Sequence, residues 1–241
     1  MKKSDILLND PKQNNILASL HKAVYDRILP NLKLVEMPLG WTIAEAGEHI
    51  KHIHFPISGI VSLIYDLEDG SSSEVAMVGN EGMLGISIYM GGESMPNSTK
   101  VQCTGKAYRL SRNLFKREFA LSGQLQRIAL LYTQALIAQA SQTAVCNQHH
   151  TKEQQFCRWL LMKLDRLSDN QVIITHSSIA KLIGIRRETI SVSAANLQKD
   201  GIIECSRGQI TVLSTVELKK RACECYGIVT KEYRRLLPIM K

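Results

Sequence analysis

THSSIAKLIGIRRETISVSAANLQKDGIIECSRGQITVL, residues 175–213, decides the architecture of the C-terminal half. Ile179, Leu182 and Ile183 recur at helical spacing, Gly184 marks a turn, and Ile185, Ile190, Ala194 and Leu197 give a second helix an apolar stripe. Thr175 stands where an N-cap belongs, and Ala180, four positions before the turn glycine, is small enough for two helices to cross closely. A Gly-containing hairpin follows as a wing. An ordinary amphipathic helical hairpin with a solvated charged face is the competing reading, but it does not account for the whole order of Ala, Gly, Ile and wing. The pattern predicts a winged helix-turn-helix.

With that stripe buried, Arg186, Arg187, Glu188, Thr189, Ser191 and Val192 point outward from the first turns of the second helix. Such a face suits the DNA major groove: arginine donates twice to guanine, glutamate accepts from the cytosine amino group, and serine serves either partner. Ser177 on the first helix and Arg207 in the wing complete the candidate DNA-contacting set. Charge points the same way. Residues before Gln148 carry 14 basic and 13 acidic side chains, and those from Gln148 onward carry 16 and 9, so nearly all of the net +8 is C-terminal. Phosphate neutralisation needs such a local basic surface, which predicts double-stranded DNA as the partner.

The 241 residues suffice for two modest domains, and 44% apolar with 22% charged residues is a globular composition. No apolar run approaches the ~18 residues of a spanning helix, and MKKSDILLND lacks an uncharged signal core, so a cytoplasmic protein with no membrane partner is expected. Six cysteines without secretory features read as reduced thiols.

From about Leu34 to Leu110, short apolar runs are punctuated by Gly, Pro, Asn and Asp, which predicts an antiparallel β-roll. Residues 112–147 predict one long helix, on which Leu125, Ile128, Tyr132, Ala135 and Gln139 follow alternating steps of three and four, the seam of a dimer helix. Packing of that helix on its own β-roll is the alternative. Residues 148–168 predict a further helix with Phe156, Leu160, Leu161 and Leu164 facing inward, then a strand at Gln171 to Ile174. A last helix is predicted from Val216 to Leu237, ending at Pro238. The fold class is therefore α+β, with a sensing domain at 1–147 and a DNA-binding domain at 148–241.

This order, with IAKLIGIRRETIS in the helix-turn-helix and FPISGIVSLIYDLEDGSSSEVAMVGNEGMLG in the roll, resembles the Crp/Fnr family of bacterial transcription regulators over nearly the full chain. The resemblance implies a homodimer on a palindromic operator, contact with RNA polymerase, and a small-molecule effector that acts through the long helices. Arg187, Glu188 and Ser191 fall where members commonly place base-reading side chains, whereas Val192 stands where many have arginine. Cyclic-AMP-binding members use a Gly-Glu-Leu-Gly turn and an Arg-Ser pair. The matching residues here are Gly82, Met83, Leu84, Gly85 and then Asn97, Ser98, Thr99, so both charged contacts are missing. The effector is therefore expected to be something other than cyclic AMP, a cyclic-nucleotide-responsive regulator being the alternative.

Iron–sulfur ligation clusters most of its cysteines near the N-terminus in members that use it, and the first cysteine here is Cys103, so no cluster is expected. Haem needs only one axial His or Cys, and the sequence leaves it open. Cys146, His149, His150 and Cys157 match no standard zinc spacing, and Cys223 and Cys225 are expected on different helix faces, one packed and one exposed. No metal site is assigned. Gly47, His52 and His54 resemble part of a cupin metal pattern, but no Glu follows until Glu68, so an enzyme is not expected and the two histidines are read as solvent-facing.

Overall fold

The computed structural model describes residues 9–237. The predicted end of the last helix at Pro238 lies outside them. Two short helices that the sequence reading did not anticipate, α1 (Asn15–Ala18) and α2 (Lys22–Ile28), precede the sheet. Asn14, fully buried, caps α1 by accepting from the backbone of Ile16 and Leu17, and donates 2.8 Å bonds to the carbonyls of Pro56 and Gly82.

The roll consists of two sheets. One has the order β1 (Lys33–Met37), β7 (Gly105–Ser111), β3 (His52–Pro56), both pairings antiparallel, with Val35 opposite Ala107 and His54 opposite Arg109. The other has the order β2 (Thr42–Ala44), β6 (Ser98–Cys103), β4 (Ile60–Asp66), β5 (Ser72–Val78). Met37, Ile53, Phe55, Ile60, Val61 and Ala107, all on these strands, are fully buried. A short α3 (Ser87–Met90) follows β5, and Tyr89 on it stacks on Phe115 and Phe119.

The long helix predicted for 112–147 is two helices, α4 (Arg112–Ala120) and α5 (Gln124–His149). Ser122 between them has φ 53°, a left-handed conformation that no helix interior contains. Because α5 runs to His149, the next helix, α6 (Lys152–Leu164), is shorter than the 148–168 expected. Thr151 caps it in a full capping box with Gln154.

α7 (His176–Ile183), α8 (Arg187–Lys199) and the antiparallel sheet of β8 (Gln171–Ile173), β10 (Gln209–Val212) and β9 (Ile203–Ser206) form the winged helix-turn-helix. The helix predicted for 216–237 is also divided, into α9 (Thr215–Arg221) and α10 (Cys225–Leu236), because Ala222 is extended. Among the described residues no helix is long and apolar enough to cross a membrane.

The chain forms two compact units. Met77–Ile137, the residues before Ile64 and those from Glu232 onward make one; Ile64–Ala76 and Ala138–Lys231 make the other. A single boundary after Asn147 therefore does not describe them. The tip of the β4–β5 hairpin belongs with the helix-turn-helix although it lies far upstream in sequence.

Candidate nucleic-acid interface

The local chemistry of residues 175–213 fixes how the reading helix is presented. Thr175 Oγ1 accepts from Ser178 N at 3.1 Å and starts α7. Gly184 ends it at φ 74°, with the amides of Gly184 and Ile185 both donating to Ala180 O. That left-handed residue is inexpensive only for glycine. Ile185 lies in the turn and not in the second helix, contrary to the expectation from its apolar spacing.

Ile190, Ala194 and Leu197 are buried on α8, joined by Ser193. On the other side Arg186, Arg187, Glu188 and Val192 are exposed, while Thr189 and Ser191 are half-buried. Ser177 at the start of α7 and Arg207 in the β9–β10 turn are exposed as well. Glu188 in the first turn of α8 and Lys199 in the last complement the helix dipole. The arrangement offers donors, an acceptor and an apolar side chain from one helical face, the combination that base edges in a major groove can pair with.

Three supporting residues escaped the sequence reading. His176 Nδ1 lies 3.2 Å from Ser191 Oγ, which links α7 to the reading helix. Gln198 Oε1 accepts from Cys205 N at 2.8 Å and ties the end of α8 to the wing. Glu153 on α6 accepts from Asn196 and from Arg221, and Arg221 also pairs with Asp200, so the C-terminal end of α8 is held from two sides. No local motif signals these partners: His176 and Gln198 act between neighbouring elements, and Glu153 reaches Asn196 and Arg221 from 43 and 68 residues away.

Behind the helix pair, Glu74 on β5 accepts a 2.9 Å bond from Trp159 Nε1 and lies 4.0 Å from Lys163 Nζ. Lys163 is fully buried, and its ammonium sits 4.9 Å above the Trp159 ring. A cation removed from water needs such a counter-charge.

In the roll, Gly82, Met83, Leu84, Asn97, Ser98 and Thr99 are buried or nearly so, and Asn97 Nδ2 donates to its neighbour's carbonyl, Ser98 O. A Cβ at Gly82 would meet the Tyr132 ring at 2.5 Å, so the Gly82–Met83 backbone is closed over by an aromatic side chain from α5. Leu84, Gly85 and Thr99 line a cavity of about 110 Å³ with Glu48, His52 and His54; Met83 and Asn97 do not.

His54 is buried, not solvent-facing as expected: it sits edge-on to Trp41 and His52, and burial first, then the charges of His52 and Arg109, bring its imidazole down to about 4. Burial also lowers His52. Among the described residues no third ligand gathers with these histidines.

The five residues expected in the dimer seam, Leu125, Ile128, Tyr132, Ala135 and Gln139, are all buried within the single chain. The spacing was right for a packed face, but that face packs on its own protomer. The opposite side of α5 carries Leu130, Gln134, Ile137, Ser141 and Ala144 in steps of four and three, all exposed, flanked by Leu131, Ala138 and Val145. Leu130 and Ile137 are 49% and 57% exposed, unusual for such side chains on one helical row.

Cysteine placement also departs from expectation. Cys223 and Cys225 are both buried, and they meet Cys146 and His150, while His149 is exposed and Cys157 stands outside the group. The extended Ala222 turns the two thiols the same way, which an unbroken helix would not.

Comparison with known proteins matches residues 154–221 to a family described as the Crp-like helix-turn-helix domain and residues 34–121 to the cyclic nucleotide-binding domain. A search of curated proteins found no match. Several solved structures share the fold. A putative transcriptional regulator of the crp/fnr family from Eubacterium rectale has 17% identity and a TM-score of 0.68, over 85% of this chain and 96% of that one. FixK2 from Bradyrhizobium japonicum has 16% identity and 0.68, over 80% and 98%. The c-di-GMP responsive global regulator CLP of Xanthomonas campestris has 15% identity and 0.63, over 81% and 100%.

Proposed function

Because the chain belongs to the Crp/Fnr family of transcription regulators, its Crp-like helix-turn-helix following a cyclic-nucleotide-binding-like roll, we propose that it acts as a homodimer reading a palindromic operator in the cytoplasm. The observation that carries this reading is the exposed set Arg187, Glu188 and Val192 on α8, backed by the buried stripe Ile190, Ala194 and Leu197. Two copies would join along Leu130, Ile137 and Ala144 of α5, because dimerisation would cover the exposed apolar row and present two reading helices about one DNA turn apart. Contact with RNA polymerase belongs to the same role.

The effector is not a cyclic nucleotide in this reading. Where a ribose-binding carboxylate and a phosphate-binding guanidinium would be needed, the chain has buried Met83 and an Asn97 amide engaged with the adjacent carbonyl. The cavity at Gly85 is also smaller than the roughly 300–1,000 Å³ typical of ligand pockets.

Selection from random DNA tests the central claim: a palindrome with two half-sites about 10 base pairs apart should emerge. Arg187→Ala and Glu188→Ala should relax preference at one position each, by about 1–3 kcal/mol, with little change in thermal stability. Unchanged specificity in both variants would remove the site assignment. Calorimetry with cyclic AMP and cyclic GMP should give no micromolar binding; a micromolar response to either would replace the effector reading with a nucleotide-sensing one.

A further inference from the structure

Four soft donors converge in the unit that carries the reading helix. Cys146 and His150 lie one turn apart at the end of α5, so their side chains leave the same face. Cys223 and Cys225 come from the corner between α9 and α10. The four ligand atoms all lie within 4.8 Å of one another. Sγ of Cys146 is 3.5 Å from Sγ of Cys223, and Sγ of Cys225 is 3.5 Å from Nδ1 of His150. Around a tetrahedral zinc ion with Zn–S near 2.3 Å, two sulfurs stand about 3.8 Å apart, so only small adjustments are needed.

Two neighbours point to a cation among these donors. His150 presents Nε2 to Glu224 at 3.2 Å, which leaves Nδ1 facing the thiols; a carboxylate on the far nitrogen is how metal-bound histidines are oriented. Arg158 is 5% exposed and lies close enough to Cys146 for its charge to act on that thiol. Its Nη2 donates to Thr143 Oγ1 at 2.8 Å, its Nε has no partner, and among the described residues no carboxylate pairs with it. A buried guanidinium without an anion is costly. Neutral thiols do not balance it.

We propose that Cys146, Cys223 and Cys225 through their sulfurs, and His150 through Nδ1, bind one Zn²⁺ in a closed tetrahedral site. On binding, three thiols release their protons to solvent and the neutral imidazole donates its Nδ1 lone pair. Three thiolates and a divalent ion leave a formal charge of about −1, which Arg158 offsets. Gln142 Nε2, 3.0 Å from Cys225 Sγ, stabilises one thiolate, and Gln155 Nε2 binds the carbonyls of Cys146 and His150, holding the ligand-bearing helix end. With four protein ligands there is no open position, so the ion is a clamp and not a catalyst. It fastens the corner at Ala222–Glu224 to the end of α5. This site is independent of the operator reading.

The full chain, purified reducing and without chelator from zinc-supplemented cells, should carry one zinc per protomer by mass spectrometry of the metal. Titration of the metal-free chain with Co²⁺ should give thiolate-to-cobalt charge transfer and the ligand-field bands of tetrahedral coordination. Cys223→Ser and Cys225→Ser should each lower metal affinity at least about tenfold, and His150→Ala likewise, whereas Cys157→Ser, a buried thiol outside the group, should keep full stoichiometry. The Co²⁺ spectrum of the unaltered chain keeps the test valid if a variant misfolds. Metal-free protein with no cobalt spectrum overturns the proposal, as does full zinc retention in Cys223→Ser. A Cys146–Cys223 disulfide in the reduced preparation overturns it too, since that bond would consume two of the ligands.

Discussion

Nδ1 of His176 lies 3.2 Å from Oγ of Ser191, so the first helix of the pair holds a side chain of the proposed reading helix. The hydroxyl is thereby oriented while keeping capacity for one more bond. His176→Ala should weaken operator binding by about fivefold, the equivalent of one net hydrogen bond near 1 kcal/mol. Ser191→Ala should do the same, and the double variant should lose less than both together. Strictly additive losses in anisotropy titrations would show that the bond does not serve recognition.

The two faces of α5 should respond differently to substitution. Ile137→Glu, on the exposed row, should leave a folded monomer in sedimentation and abolish tight operator binding. Tyr132→Ala should instead destabilise the protomer itself, by about 3–5 kcal/mol, because it empties space above Gly82 in a packed interior. A dimeric Ile137→Glu protein would mean that copies join elsewhere.

Glu74 and Lys163 form a pair in which both members are buried. Glu74→Gln keeps the acceptor for Trp159 Nε1 but leaves the ammonium uncompensated. Unfolding in urea should show a loss of about 3–5 kcal/mol, and the double variant Glu74→Leu with Lys163→Met should regain most of it. Equal midpoints for the single variant and the unaltered chain would show that the pair contributes nothing.

His54 makes stability depend on acidity in a defined direction. Burial brings its imidazole to about 4, against 6.5 for an ordinary histidine, so between those values the unfolded chain binds the proton and the folded chain does not. Stability is then full above about pH 6.5 and is lost as pH falls toward about 4, by up to roughly 3 kcal/mol. His52, lowered in the same direction, adds to the slope. Urea midpoints measured across this range should fall less steeply for His54→Gln; parallel curves for the two proteins would refute the assignment.

Periodicity made the helix-turn-helix legible because every signal in residues 175–213 is local: a cap, a turn glycine, a stripe and a wing. The strands of the roll were legible for the same reason. Periodicity also located the face of α5 that packs, yet it could not say against what; Leu125 through Gln139 meet the same chain, and the weaker row through Leu130 and Ile137 is the exposed one. The break at Ser122 carried no signal beyond Gly123, a residue helices tolerate. His150 and Cys225 illustrate a further limit. Each belongs to a spacing that matches no motif alone, and only a corner at Ala222 brings the two spacings together.

Because the segment Ile64–Ala76 supplies Glu74 to Lys163, the unit that carries the helix-turn-helix is not a contiguous piece of polypeptide. Excising residues 148–241 would keep every side chain proposed to face bases and still deliver an incomplete fold, with a lysine stranded in its interior. Exchange of this unit into another chain therefore has to carry residues 64–76 along with the C-terminal half, because a chimaera joined only within α5 separates Lys163 from Glu74. The seam along which this protein can be recombined runs through two places in its sequence.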